Sequence, residues 1–94
     1  MLNTELRQRI ERAAAALRAA GAREVYIFGS AARGTMREDS DVDMAVAGLP
    51  PAAFFRAMGQ ARQALEGELD LVDLDEDSPF VRYIKEEGEL QRVA

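Results

Sequence analysis

Residues 25–46 read VYIFGSAARGTMREDSDVDMAV, and this stretch decides the fold that we predict. Its first four residues alternate between β-branched and aromatic side chains, and Gly29 follows them. This pattern predicts a short strand that runs into a turn. Further on, acidic and apolar residues alternate, which predicts a second strand from Asp41 to Ala47. Because alternate residues of a strand point to the same face, Asp41 and Asp43 should share one face.

The segments around this stretch predict helices and a further strand, each with its own boundary residues. We predict a helix that begins after Asn3 or Thr4 and stops at Gly21, a short helix capped by Ser30 and running through Arg33, a helix opened by Pro50 and Pro51 and closed by Gly67, a strand over Leu69 to Leu74, a helix begun by Ser78 and Pro79 and ended by Gly88, and an edge strand over Leu90 to Val93.

Apolar spacing indicates which side of the two later helices is buried. In the first of them, we expect Phe54, Phe55, Met58, Ala61 and Leu65 to face the core, and a phenylalanine that faced outward instead would suggest a partner interface. In the second, Phe80, Tyr83 and Ile84 recur at helical spacing. The order of elements predicts an α/β (α+β) fold, a two-layer sandwich in which helices cover one face of a small mixed sheet of three to four strands. The acidic face of the sheet is expected to stay partly open.

Composition bounds both the architecture and the chemistry. A length of 94 residues favours a single domain over residues 1–94. The formal charge of −5 argues against direct nucleic-acid binding through a broad basic face, although a metal-bridged nucleotide stays possible. Cysteine and histidine are both absent, so catalysis would rest on carboxylates, hydroxyls, Arg, Lys or backbone amides.

Hydropathy gives no sign of a membrane segment. The chain has no run of about 18 apolar residues that could span a bilayer, and its N-terminus, MLNTELRQRIER, lacks the apolar core of a secretion signal. We therefore expect a cytoplasmic protein without a membrane partner.

The acids of the second and third strands form the candidate metal site. Asp41 and Asp43 repel each other unless a cation lies between them, and Mg²⁺ is the cation that best suits carboxylates and phosphates. Asp70 interrupts an apolar run and would complete a triad if the third strand lies beside the second. Such a triad can hold two ions about 3.5–4 Å apart, with Asp70 also accepting a proton. Asp73 is the alternative third acid.

The turn after the first strand is the candidate phosphate site. Gly29 lets a phosphate approach the backbone closely, and Ser30 adds a hydroxyl donor. Arg33 and Arg37 follow in the connecting loop and could contact a triphosphate. The chain contains no G-x-x-x-x-G-K-[ST] sequence, so this turn is not a P-loop.

The pattern of Gly-Ser, ten residues, Asp-Val-Asp and a later strand acid resembles the DNA polymerase β-like nucleotidyltransferase superfamily. The fuller string GSAARG…SDVDMAV is similar to its smallest branch, the minimal nucleotidyltransferases (MNT). The resemblance implies that Gly29 and Ser30 hold the phosphates of ATP, that Asp41 and Asp43 hold metal, and that Asp70 serves the catalytic metal and the incoming hydroxyl. It also implies a HEPN-type toxin as partner, since members of this branch commonly act as antitoxins and some transfer AMP to a toxin tyrosine.

Two hypotheses follow for the function. In one, the protein is an enzyme that transfers AMP or another nucleoside monophosphate to a hydroxyl on a partner protein. In the other, it is a binding module that neutralises its partner by covering it, without catalysis. Dependence of the activity on metal and on the acidic triad distinguishes the two.

Overall fold

The computed structural model of the protein describes residues 4–34, 41–87 and 90–94. Helices and strands alternate in the predicted order. The elements are α1 (Thr4–Ala19), β1 (Glu24–Phe28), α2 (Ser30–Arg33), β2 (Val42–Ala47), a 3₁₀ turn (Pro51–Ala53), α3 (Phe54–Leu65), β3 (Leu69–Asp73), α4 (Pro79–Glu86) and β4 (Gln91–Arg92). Among the helices in these ranges, none combines the length and the apolar character that a membrane crossing requires.

The strands form one mixed sheet in the order β3-β2-β1-β4. β1 pairs antiparallel with β2 and with β4, whereas β2 and β3 run parallel. The mixed sheet and the added edge strand are therefore both confirmed. In the pairing of β1 with β2, Ile27 lies opposite Met44 and Phe28 lies opposite Asp43.

One face of the sheet forms the main core with α1 and α3, which also pack against each other. Val25, Met44 and Val46 on this face are all 0% exposed. Their alternation with more polar residues gives β1 and β2 a single apolar side, as the period of two requires. α1 covers that side with its apolar stripe, Leu6, Ile10, Ala13, Ala14 and Leu17.

The opposite face carries a smaller apolar cluster. Phe28 and Ala45 are buried there together with Val81 and Ile84 of α4. Helices on one face were predicted, and α1 and α3 lie there, whereas α4 covers part of the other face. The reason is that Phe28 and Ala45 expose apolar surface on the acidic side, and α4 removes that surface from water.

The predicted buried side of α3 is confirmed in part. Ala61 and Leu65 are buried, and Phe54 and Met58 are half-buried. Phe55, however, is 78% exposed and meets the ring of Phe54 edge to face, with ring centroids 5.5 Å apart. The prediction that Phe55 faces the core was wrong because the buried side of α3 runs through Ala57, Ala61 and Leu65, at helical spacing, and Phe55 lies off that side. Phe55 is therefore the phenylalanine that faces outward.

The start of α4 was predicted correctly. Ser78 is the N-cap, and its Oγ accepts a hydrogen bond of 3.2 Å from the backbone N–H of Val81. Val81 and Ile84 are the buried residues of this helix. Phe80 and Tyr83 are instead 51% and 55% exposed.

Two predicted helix ends differ by one residue. Gly29, not Ser30, occupies the N-cap position of α2, and Ser30 is the first residue of that helix. Glu66, not Gly67, adopts the left-handed conformation that ends α3, with φ 59° and ψ 40°. The expected boundaries at Asn3 and Gly88 lie outside the described residues.

Replacing Glu66 by glycine should stabilise the fold. A left-handed backbone costs a non-glycine residue roughly 1–2 kcal/mol, and the greater freedom of unfolded glycine offsets part of the gain. The exposed pair of Glu66 with Arg12, 3.5 Å apart, contributes little. We expect Glu66→Gly to raise the free energy of unfolding by about 0.5–1 kcal/mol in urea titrations. The control is Glu66→Ala, which removes the same carboxylate but keeps the β-carbon; an equal gain there would contradict the explanation.

Candidate active site

Two of the three predicted acids are direct neighbours across paired strands. Asp43 of β2 lies opposite Asp70 of β3 in the parallel pairing, so both side chains leave the same face of the sheet. Asp43 is half-buried and Asp70 is exposed. Asp41 is exposed and stands immediately before β2. The predicted placement of the third strand beside the second is thus confirmed, and it brings Asp70 to Asp43.

The surroundings of Asp43 shift the pKa of its carboxyl group. Partial burial raises the pKa of the Asp43 carboxyl above its usual range, and the negative charges of Asp70 and Asp41 raise it further. The guanidinium of Arg33 acts in the opposite direction and lowers it. Asp43 therefore lies among negative charges, and a cation beside it would offset their repulsion.

The turn between β1 and α2 lies directly against Asp43. Gly29 has φ 66° and ψ −142°, a conformation that is almost restricted to glycine. A β-carbon at this residue would lie 2.5 Å from Oδ2 of Asp43. The missing side chain of Gly29 therefore leaves room for the Asp43 carboxylate, and Ser30 follows at the first position of α2. The Gly-Ser turn and Asp43, separated by more than ten residues in sequence, therefore lie side by side in the structure.

The remaining candidates divide into residues near this site and residues away from it. Arg33 is exposed at the end of α2, close enough for its charge to act on Asp43. Asp73 lies opposite Val46, three residues along β3 from Asp70, and its Oδ1 accepts a hydrogen bond of 2.9 Å from the backbone of Asp75. Asp73 is therefore not part of the cluster. Arg37 lies outside the described residues.

A cavity of about 380 Å³ adjoins α2 on the side of the sheet that α1 and α3 cover. It lies between α1, α2 and strands β1 and β4, and Arg33 contributes to its wall together with Arg7, Glu11 and Gln91. None of the three candidate aspartates lines it. The acids instead occupy the other face of the sheet, beside the cluster that α4 covers.

The acids fit a hard divalent cation through the chemistry of their donors. All of them offer carboxylate oxygens, which Mg²⁺ prefers, and Mg²⁺ bound to nucleotides commonly takes only one or two carboxylates and completes its shell with phosphate and water. Within the described ranges, no three Asp, Glu, His or Cys side chains are arranged closely enough to form a complete protein cage for a metal. The residues therefore suit an ion that is shared with a phosphate ligand.

Comparison with known proteins places this site in a family context. Residues 14–90 match the family described as polymerase beta, nucleotidyltransferase. A search of curated proteins gives no match.

Several solved structures share the fold. A structure described as a minimal nucleotidyltransferase is 29% identical, with a TM-score of 0.74, covering 100% of this chain and 96% of its own. A toxin-antitoxin structure with AMP-PNP is 28% identical, with a TM-score of 0.69, covering 87% of this chain and 70% of the other. A Shewanella oneidensis complex of a tri-AMPylated HEPN toxin with an MNT antitoxin is 23% identical, with a TM-score of 0.65, covering 93% of this chain and 70% of the other.

Replacing Gly29 by alanine should disturb both the backbone and the acid beside it. The φ of 66° makes a β-carbon costly by roughly 1–3 kcal/mol, and the Asp43 carboxylate would have to move away from a contact of 2.5 Å. The matched control is Gly59→Ala in α3, where nothing lies within 4 Å of the added carbon. We expect Gly29→Ala to lower the free energy of unfolding and Gly59→Ala to raise it by about 0.5–1 kcal/mol. Equal effects of the two substitutions in thermal or urea unfolding would refute this account of Gly29.

Proposed function

Because the chain belongs to the polymerase β nucleotidyltransferase family, we propose that it transfers AMP, or another nucleoside monophosphate, from a nucleoside triphosphate to a hydroxyl on a partner protein. The observation that carries the proposal is the pairing of Asp43 with Asp70 on one face of the sheet, with Gly29 in contact with Asp43. Nucleotidyl transfer needs carboxylates that can hold a metal ion and a turn whose backbone a phosphate can approach.

In this proposal, the Gly-Ser turn positions the nucleotide. The absence of a side chain at Gly29 allows a phosphate to approach the backbone, and the Ser30 hydroxyl donates a hydrogen bond to a phosphate oxygen. Arg33, at the other end of α2, supplies a positive charge on the side of the triphosphate. The formal charge of −5 makes such local cations important, because the chain as a whole repels a polyanion.

Asp41, Asp43 and Asp70 would hold Mg²⁺ together with the triphosphate. When bound there, Mg²⁺, as one ion or as a pair, neutralises phosphate charge and lowers the pKa of the attacking hydroxyl. The half-buried Asp43 is the central acid of the three, since both other carboxylates act on it.

The transfer itself is a substitution at the α-phosphorus. The acceptor oxygen forms a bond to the α-phosphorus, the bond from that phosphorus to the oxygen leading to the β-phosphate breaks, and pyrophosphate leaves with that bonding pair. The proton of the acceptor hydroxyl passes to the Asp70 carboxylate. Asp70 suits this role because it is exposed on an edge strand, where a protein-borne hydroxyl can approach it.

The partner that we propose is a HEPN-type toxin, which makes this chain the antitoxin of a toxin-antitoxin pair. Support comes from the similar toxin-antitoxin structure that holds AMP-PNP and from the complex of an MNT antitoxin with an AMPylated HEPN toxin.

Replacing Asp43 by asparagine tests the catalytic proposal. The protein would be mixed with its HEPN-type partner, ATP and Mg²⁺, and intact masses of both chains recorded. We expect AMP-sized increments on the partner with the wild-type protein and a loss of at least about 100-fold in rate with Asp43→Asn, because the site loses its central anionic ligand. Omission of Mg²⁺ should have the same effect.

The matched control is Asp77→Asn, which removes the same charge outside the site. Asp77 is 87% exposed and pairs at the surface with Arg82, 3.4 Å away, so transfer should continue at the wild-type rate. Full transfer by Asp43→Asn would overturn the enzymatic proposal. A stable complex that forms without any mass increment in the wild-type reaction would favour the non-catalytic antitoxin instead.

Ser30→Ala tests the role of the Gly-Ser turn separately. Loss of a hydrogen bond to a charged phosphate costs about 1.5–3 kcal/mol, so we expect ATP affinity to fall at least about tenfold by calorimetry. Affinity for Mg²⁺ measured without nucleotide should change little, because Ser30 is not among the proposed ligands. Unchanged ATP binding in Ser30→Ala would remove Ser30 from the site.

A further inference from the structure

Phe80 is an exposed aromatic residue of α4, the helix that packs on the acidic face of the sheet. Its ring meets the ring of Phe28 edge to face, with centroids 6.2 Å apart and an interplanar angle of 61°. Phe28 is buried, directly precedes Gly29 and lies opposite Asp43 in the sheet. A single buried ring therefore separates Phe80 from both the phosphate turn and the central acid.

The exposure of Phe80 has no explanation in the packing of the fold. The inward positions of α4 are already filled by Val81 and Ile84, and 51% of Phe80 remains accessible to water. Contact with Phe28 fixes one edge of the ring, so the ring is held in place while its remaining surface stays open. A fixed, half-exposed aromatic ring beside a candidate nucleotide site is a platform on which a planar group can stack.

The other two exposed aromatic residues lack this placement. Phe55 lies in α3, which packs on the opposite face of the sheet, and its ring contact is with Phe54. Tyr83 lies on α4 one turn further along from Phe80, and no ring contact joins it to Phe28 among the described residues.

We infer that the exposed ring of Phe80 stacks on the nucleobase of the nucleoside triphosphate whose phosphates lie at Gly29 and Ser30. This inference rests on the proposed function. The triphosphate would extend from the acids across Phe28, so that its base reaches the Phe80 ring. Stacking tolerates any base, because every base has a π-face, but it favours the larger purines. The residue would thus add affinity for the nucleoside part without touching the reacting phosphorus.

The experiment compares a ligand that has a base with one that has none. Binding of ATP and of inorganic tripolyphosphate, each with Mg²⁺, would be measured by calorimetry on the folded wild-type protein and on Phe80→Ala. Stacking on one aromatic ring is strong enough that we expect about a tenfold loss of ATP affinity. Tripolyphosphate affinity should stay within twofold of the wild-type value, because the phosphate turn and the acids are untouched.

Three further variants sharpen the result. Phe80→Leu keeps apolar volume against Phe28 but removes the aromatic face, so it should lose ATP affinity even if Phe80→Ala proves unstable. Phe80→Trp restores a π-face and should bind ATP at least as well as the wild type. Phe55→Ala makes the matched change on the other side of the sheet and should bind both ligands as the wild type does.

The outcomes separate this inference from the function on which it rests. Failure of the wild-type protein to bind ATP would overturn the proposed nucleotide site and the stacking with it. ATP binding by the wild type that survives in Phe80→Ala and Phe80→Leu would overturn the stacking alone, as would an equal loss of ATP and tripolyphosphate. Weakened association of these variants with the partner protein, with ATP affinity intact, would make Phe80 an interface residue instead.

Discussion

The register of β2 between its two neighbours is the constraint on which the rest of the structure depends. In this register Met44 points into the core between α1 and α3, and Asp43 points to the opposite face beside Asp70. A slip of one residue would exchange the two faces of the strand and bury carboxylates among the helices. The fully buried Met44 and Val46 oppose such a slip, because their burial would be lost with it. Core packing thus fixes the direction in which Asp43 and Asp70 point, although neither side chain belongs to the core.

The acids themselves work against the fold. Partial burial and the nearby charges of Asp70 and Asp41 disfavour the ionised form of Asp43 and raise its pKa in the ligand-free protein. Such costs are typical of sites that are organised for a ligand rather than for stability. Gly29 adds a further cost, since its backbone conformation suits glycine alone. The repelling acids and the restricted backbone of Gly29 lie together at one end of the sheet. The buried residues of the core are all apolar within the part of the chain that the structure describes.

Much of this arrangement could be predicted from the sequence because it depends on short-range patterns. Alternation predicted β2 and its acidic face, the Gly-Ser turn predicted a close approach of the backbone, and Ser78 with Pro79 predicted the start of α4. The placement of Asp70 followed once β3 was taken as the neighbour of β2. Family membership agrees with the resemblance carried by the Gly-Ser and Asp-Val-Asp residues.

The errors arose where position depends on the exact rotation of a helix. Phe55 and Phe80 are apolar, yet they are 78% and 51% exposed. The buried side of α3 runs through Ala57, Ala61 and Leu65 and that of α4 through Val81 and Ile84, so both rings lie off those sides. Periodicity also could not show that α4 would cross to the other face of the sheet. That choice depends on the apolar surface of Phe28 and Ala45, which appears only when strands are paired. The roles of the site residues stay predictions that the experiments above test.

The position of β3 at the edge of the sheet gives Asp70 a second constraint. An edge strand has backbone hydrogen-bonding groups on one side without a neighbouring strand, and an apolar edge invites pairing with another chain. In Leu69–Asp73 the sequence LDLVD interrupts an otherwise aggregation-prone segment with charge. A carboxylate at Asp70 therefore opposes pairing of this edge with another chain, independently of the transfer that we propose. Loss of that charge would leave the edge of β3 more open to such pairing.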